Sequence, residues 1–71
     1  MITWTPTPQS SNVARVGFDD ETQDIVVEFK NGGTYSYSGA GEAVAADMAS
    51  DPSPGRYFAR HVKNRYPAKK L

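Results

Sequence analysis

The sequence contains no cysteine among its 71 residues, which excludes disulfides, thiolate metal sites and thiol catalysis. No apolar run approaches the roughly 18 to 20 residues that span a membrane, and residues 1–9 lack the basic and apolar regions of a signal peptide. A chain this short has one small core and buries only about 60% of its unfolded surface, which leaves little room for a deep pocket. We therefore expect a single, non-catalytic, soluble domain that is located in the cytoplasm.

Acidic residues are missing from the end of the chain, since none follows Asp51. Residues 1–51 contain eight acids and two bases, a net charge of −6, whereas the last twenty residues contain six bases and carry +6. The six bases are Arg56, Arg60, Lys63, Arg65, Lys69 and Lys70. This segregation predicts a local basic surface on a chain that is neutral as a whole.

Three segments alternate between apolar and polar or small residues, as half-buried β-strands do. They are residues 11–18, 24–30 and 34–38, and the turn signal Asn31-Gly32-Gly33 separates the last two. The inward positions predicted for the first two are Ala14, Val16, Phe18, Ile25, Val27 and Phe29. These segments predict a small antiparallel sheet.

The loop between the second and third predicted strands decides where Tyr35 and Tyr37 point. A two-residue turn places both rings on the outer face, where they form a platform that stacks bases. A three-residue loop with Gly33 in the left-handed region places them beside Val27 and Phe29 instead. We expect the second arrangement, because it completes one apolar face and makes the tyrosines part of the core.

Two short helices are predicted after the strands. Residues 40–50 are rich in alanine, and Ser53 followed by Pro54 is a typical helix start. The second helix is expected to run to about Arg65, because Pro67 ends it.

This second helix is amphipathic. Phe58 and Val62 share one side, while Arg56, Arg60 and Lys63 fall within a stripe about 60° wide on the other. A basic outer face is therefore expected.

The order of the elements predicts an α+β domain in which a three-stranded antiparallel meander packs on two C-terminal helices. Residues 10–67 form this domain. Residues 1–9, with prolines at positions 6 and 8, are predicted to be an irregular arm, and residues 68–71 a basic tail.

Five blocks of residues follow one another in a familiar order. They are Ser10-Ser11-Asn12, Val16-Gly17-Phe18-Asp19, Val27-Glu28-Phe29-Lys30-Asn31-Gly32, Tyr35-Ser36-Tyr37 and Gly55-Arg56-Tyr57-Phe58, with Val62 and Tyr66 downstream. Together they resemble the KTSC family, a small domain found at the C-terminus of certain lysyl-tRNA synthetases and alone in bacterial and phage proteins. Two positions depart from the family pattern, since Gln23 replaces a turn glycine and Gly41 replaces the proline that opens the first helix. The resemblance implies the fold but no established activity, and the synthetase association suggests RNA binding.

The six bases and Tyr57 form the candidate nucleic-acid site. The helical stripe can follow phosphates while Tyr57 stacks a base, and we predict RNA or single-stranded nucleic acid as the ligand. One alternative is a merely solvated face, because bases near a helix C-terminus also favour the helix dipole. Another is a protein-interaction module whose basic helix docks on an acidic protein or on the acidic end of a second copy.

Neither catalysis nor a metal or other cofactor is predicted. His61 is the only histidine, and no nucleophile and base can be paired around it. Four acids crowd the turn at residues 19–24, but the glycine and terminal glutamate of a calcium-binding loop are missing. We expect that turn to be solvated.

Overall fold

The computed structural model describes all 71 residues as a five-stranded antiparallel sheet with helices on one face. The strands are β1 (Ile2–Pro6), β2 (Val13–Asp19), β3 (Asp24–Phe29), β4 (Thr34–Tyr37) and β5 (Ala68–Lys70). The helices are α1 (Glu42–Ser50) and α2 (Pro54–Tyr57), and α2 continues without a break as a π-helical segment, Phe58–Val62. We call residues 54–62 the C-terminal helix. Each strand is antiparallel to the next, in chain order, and no helix has the length and apolar character needed to cross a membrane.

The core lies between the helices and one face of the sheet. It consists of Val13, Val16, Ile25, Val27, Tyr37, Ala45, Met48, Phe58 and Val62. Phe58 is central, because its ring lies 5.3 Å from those of both Phe29 and Tyr37, in edge-to-face geometry. Such aromatic pairs add about 0.5–1.5 kcal/mol to the free energy of burial. The predicted α+β class, with an antiparallel sheet and two helices, is confirmed.

The sheet has five strands, so the prediction of three is wrong. The segment predicted to be an irregular arm contains β1, and the predicted tail contains β5. Pro6 is compatible with β1 because it is the last residue of an edge strand, where a missing N–H need not break the sheet. β5 has only three residues, and all of them are exposed. A strand this short shows no alternation of apolar and polar residues that would predict it.

The edge strand β1 is held in place partly by Trp4, whose side chain lies on the face of the sheet that the helices leave uncovered. Trp4 is paired with Gly17 of β2, and the Arg15 guanidinium lies 3.8 Å from the centre of the indole ring. Arg15 also donates through Nε to Glu28 Oε1 at 3.0 Å. The ring fills the space that the missing side chain of Gly17 leaves, beside Val26, which is buried although no helix covers it.

β2 contains a bulge between Val13 and Arg15. The bulge turns Val13 inward, where it is fully buried, whereas Ala14 is only half-buried. The expectation that Ala14 faces the core is therefore wrong, because a bulge adds one residue and reverses the alternation beyond it.

The hairpin between β3 and β4 has a three-residue loop, as predicted, but the loop begins one residue early. Tyr35 pairs with Val27 and Tyr37 with Ile25, and the left-handed glycine is Gly32, with φ of 100°. The register therefore differs by two residues from the prediction. A shift of two preserves the faces, so both tyrosines still point toward the helices.

The C-terminal helix ends at Val62 rather than at Arg65. Lys63 is extended, and Asn64 has φ of 67°, a left-handed conformation that asparagine tolerates better than most residues. The chain therefore leaves the helical path at Lys63 and the left-handed Asn64, well before Pro67.

Candidate nucleic-acid interface

The C-terminal helix is fixed to the core by one side. Pro54, Phe58 and Val62 are buried, whereas Arg56 and Arg60 are exposed. Proline at the first helical position fits because its missing N–H would have no helical partner. The hydrophobic spacing of the helix thus determines that its arginines face outward.

The start of this helix is built differently from the expectation for Ser53. The Ser53 side chain makes no capping hydrogen bond. Instead, the Asp51 carboxylate accepts a hydrogen bond from the Ser53 backbone N–H at 2.8 Å. The helix begins where the sequence predicts, but an aspartate two residues earlier stabilises the turn.

A polar loop also packs against the start of the helix, through Asn12, for which no such role was predicted from the sequence. Its side-chain oxygen contacts Gly55 so closely that a Cβ on that residue would overlap it. Ser10 Oγ donates to the same oxygen at 3.0 Å and accepts from the Val13 N–H at 2.9 Å. Lys30 Nζ donates to the Ser10 carbonyl at 2.6 Å. Three of the motif blocks therefore meet at one place, where they fix the helix to the sheet.

All six C-terminal bases are exposed. None forms an ion pair within 4.0 Å of a carboxylate, because the four ion pairs of the structure involve only Arg15 and the Met1 amino group. Arg15 binds Glu28, and the Met1 ammonium lies 3.2 Å from Asp20 and 3.7 Å from Glu21. The acids of the first part of the chain thus leave the positive charges of the last part unneutralised.

The six bases do not form one continuous stripe. Arg56 and Arg60 lie on the C-terminal helix, but Lys63 is already extended and Arg65 follows the left-handed Asn64. The helix also changes to π geometry, in which the Lys63 N–H donates to the Phe58 carbonyl at 2.8 Å, so the regular 100° spacing no longer applies. The predicted three-residue stripe is reduced to two arginines.

The two lysines of β5 lie on opposite faces of the sheet. Lys70 is paired with Tyr35, which faces the helices, whereas Lys69 is paired with Ser36 on the uncovered face. Cross-strand partners share a face. Lys70 therefore lies on the same side of the sheet as the C-terminal helix, and Lys69 does not.

Tyr57 and His61 lie one turn apart on the C-terminal helix, with ring centroids 4.6 Å apart and an interplanar angle of 42°. Tyr57 is half-buried and packs against the core, whereas His61 is exposed. Partial burial raises the pKa of the Tyr57 hydroxyl above its ordinary value, and the charges of Asp47 and Asp51 add to the rise. Tyr57 therefore supports the outer ring of His61.

Tyr35 and Tyr37 belong to the packed face of the sheet. Tyr37 is 6% exposed, and burial raises the pKa of its hydroxyl, with a smaller contribution from Tyr35. The Tyr35 ring lies 6.0 Å from that of Phe29, edge to face. Tyr37 is therefore a core residue, and Tyr35 is half-buried beside the core.

One cleft, of about 260 Å³, lies between β1 and α1. Thr3, Thr5, Val16, Phe18, Asp20 and Glu42 are among its lining residues. None of the candidate site residues lines it. The candidate interface is therefore not part of this cleft.

Two residues with positive φ angles lie at the turn formed by residues 19–24, one within the turn and one in contact with it. Gln23 has φ of 63°, and Gly41 has φ of 86°. Gln23 thus adopts the left-handed conformation for which the family pattern uses glycine. The Gly41 N–H donates to the Gln23 carbonyl at 3.0 Å, so the two departures from the pattern meet in one contact.

A domain-family model matches most of the chain, over residues 9–66, which includes the C-terminal helix. That family is the KTSC domain, and the chain belongs to it. A crystal structure of a KTSC domain protein from Yersinia pestis has a TM-score of 0.90 and 27% sequence identity, and the match covers 100% of this chain and 99% of that one. The structural likeness therefore includes β1 and β5, which lie outside the family match.

Two curated proteins are similar to the chain over 64 residues at 27% identity. They are the lysine–tRNA ligases of Nostoc punctiforme and Trichormus variabilis. The alignment covers 90% of this chain but 11% of each ligase, so the chain spans about a tenth of the length of these relatives.

Proposed function

We propose that this KTSC domain is a non-catalytic accessory module of the cytoplasm that binds RNA or another single-stranded nucleic acid. The observation that carries the proposal is the set of six exposed bases, none of which is paired with a carboxylate. Desolvating an unpaired surface cation costs little when a phosphate replaces the water and counterions are released. The curated relatives add support, because their name describes enzymes that act on tRNA.

The arginines of the C-terminal helix supply the centre of the proposed interface. Arg56 and Arg60 project from a helix whose other side is fixed in the core, so their positions are set by rigid backbone. Lys63, Arg65 and Lys70 extend the positive charge beyond the helix, and Lys69 contributes from the far face of the sheet. Contacts of this kind position a phosphate backbone but do not read its sequence.

The proposal is tested by titrating a labelled single-stranded RNA of random sequence at about 50 mM salt and above. If four to six phosphates are contacted, log K falls with log salt at a slope of about −3 to −4. NMR shifts should be confined to residues 55–71. An absence of binding at the lowest salt to any RNA or single-stranded DNA would refute the proposal.

Arg60→Gln and Arg15→Gln form a matched pair for this titration. Both remove one positive charge, but Arg60 is unpaired, whereas Arg15 is engaged by Glu28 and Trp4 on the opposite face of the sheet. Arg60→Gln should weaken binding and make the salt slope shallower by about 0.7. If both variants weaken binding equally, the net charge of the chain and not this surface is responsible.

A protein-interaction role is the second candidate, and the opposite charges of the two parts of the chain favour it. Residues 1–51 carry −6 and the last twenty residues +6, so the acidic end of one copy complements the basic helix of another. Light scattering that finds a monomer at every concentration in low salt would rule out self-association. An acidic protein partner would compete with RNA for the same bases.

A further inference from the structure

Two rings of the C-terminal helix, those of Tyr57 and His61, each follow an arginine in the sequence. The pairs are Arg56-Tyr57 and Arg60-His61, four residues apart. Consecutive residues are neighbours around the axis of an α-helix and also of the wider π-helix that contains Arg60 and His61, so each arginine lies beside the ring that follows it. The helix therefore presents a row of two rings next to a row of two arginines.

The rings of Tyr57 and His61 together form one surface, which we call the ledge. Their centroids are 4.6 Å apart, within the range of favourable aromatic contacts. Because Tyr57 packs against the core while His61 is exposed, the imidazole has one side on a fixed ring and another side open to solvent. A ring held in this way loses less conformational entropy on binding than a free side chain does.

We infer that Tyr57 and His61 form a stacking ledge for one unpaired base, whose phosphates lie along Arg56 and Arg60. The inference rests on the proposed function and deepens it, because it names an unpaired base as the group that is recognised and the two rings that contact it. Every base has a π-face that can continue such a stack, whatever its sequence. In a duplex these faces are already covered by neighbouring base pairs, so only the phosphate contacts remain.

The acids near Tyr57 make one side of the ledge unfavourable for phosphates. Asp47 lies in α1, and Asp51 is the residue directly after this helix. Both carboxylates act electrostatically on the Tyr57 hydroxyl. Phosphates are repelled on that side and attracted on the side of Arg56 and Arg60. The backbone of the nucleic acid should therefore run along the arginines, with its base turned toward the ledge.

The experiment compares His61→Leu with His61→Phe. Neither substitute is charged, so they differ in having or lacking a ring, and His61 is exposed, so neither should disturb the core. The probes are an oligouridylate of about ten nucleotides, an abasic oligonucleotide of the same length and charge, and an RNA duplex. Thermal unfolding of both variants checks that they fold.

His61→Leu should bind oligouridylate roughly 5- to 150-fold more weakly than His61→Phe, the range measured for losing one stacked base. The two variants should bind the abasic probe equally, with the same salt slope, and should bind the duplex equally. A base analogue whose fluorescence is quenched by stacking should be quenched by His61→Phe but not by His61→Leu.

Two results would overturn the inference in different ways. If the wild-type protein binds oligouridylate and the abasic probe with the same affinity, no base is stacked, although the proposed phosphate binding stands. If it binds none of the probes at low salt, the proposed function fails and the ledge fails with it.

Discussion

Replacing Gly17 with alanine should weaken the attachment of β1 to the sheet. A Cβ at this position would lie 2.8 Å from Ile2 Cγ2 and 3.0 Å from two carbons of the Trp4 ring. Carbon atoms in favourable contact are about 3.5–4.0 Å apart. Ile2 is branched at Cβ and the indole is rigid, so β1 itself has to move away from β2.

The size of the effect follows from two opposing terms. Overpacking of this kind costs about 1–3 kcal/mol, whereas exchanging glycine for alanine within a strand contributes about 0.5–1 kcal/mol of stabilisation. We therefore expect a net loss of up to about 2.5 kcal/mol in the free energy of unfolding. For a domain of this size, each kcal/mol corresponds to about 4–8 °C in melting temperature.

Urea unfolding measured by circular dichroism gives the global loss, and the fluorescence of Trp4, the only tryptophan, reports on β1 separately. Displacement of β1 should also separate the indole from Arg15 and shift its emission to the red. In a Trp4→Leu background the two ring contacts are absent and the Ile2 contact remains, so Gly17→Ala should cost less. The reasoning is refuted if Gly17→Ala stabilises the protein, or if its cost is the same in both backgrounds.

Three further predictions concern the core, the tyrosines and the last strand. Phe58→Ala should lower the free energy of unfolding by about 3–5 kcal/mol, because the ring packs on two others, and a urea-measured loss below 1 kcal/mol would contradict its central position. Burial raises the pKa values of Tyr37 and Tyr57, so their tyrosinate absorbance should appear later than that of tyrosine in the unfolded chain, near pH 10. Stability should accordingly be retained below about pH 10 and fall as the pH rises further, and titration of Tyr37 and Tyr57 at the same pH as tyrosine in the unfolded chain would argue against this burial. Deleting residues 68–71 should lower the melting temperature by exposing β4 and should make the RNA salt slope shallower by up to about 1.4, whereas an unchanged slope would remove β5 from the interface.

The faces of the central strands were predictable because alternation has a period of two. Ile25 and Val27 are inward as predicted, and both tyrosines of β4 share their face even though the hairpin register differs by two residues. An even shift leaves every side chain on its predicted face. The bulge at Val13 shows the opposite case, since one extra residue reverses the alternation and no local signal in the sequence marks it.

The edge strands were not predictable from local patterns. β1 depends on the fit of Trp4 into the space over Gly17, and β5 on an open edge at β4. Such strands are stabilised by what they pair with and not by their own composition. The end of the C-terminal helix is similar, because the left-handed Asn64 is an ordinary asparagine in the sequence.

The candidate site also has some features that were predictable from the sequence and others that were not. Charge composition identified the six bases, and helical spacing indicated that Arg56 and Arg60 are exposed, because these properties depend on residue type and period alone. The separation of Lys69 from Lys70 depends on β5 joining the sheet, and the contact between Tyr57 and His61 depends on side-chain packing.

By itself, the sequence determined the α+β class, the inward faces of the central strands, and the division of charge between the two parts of the chain. These properties are sums and periods, which an even shift of register leaves unchanged. Only the tertiary structure decided the number of strands, the register of the hairpin, and which basic and aromatic side chains share a surface. Those features depend on contacts between residues distant in the chain, whose energies are set by fit and not by composition.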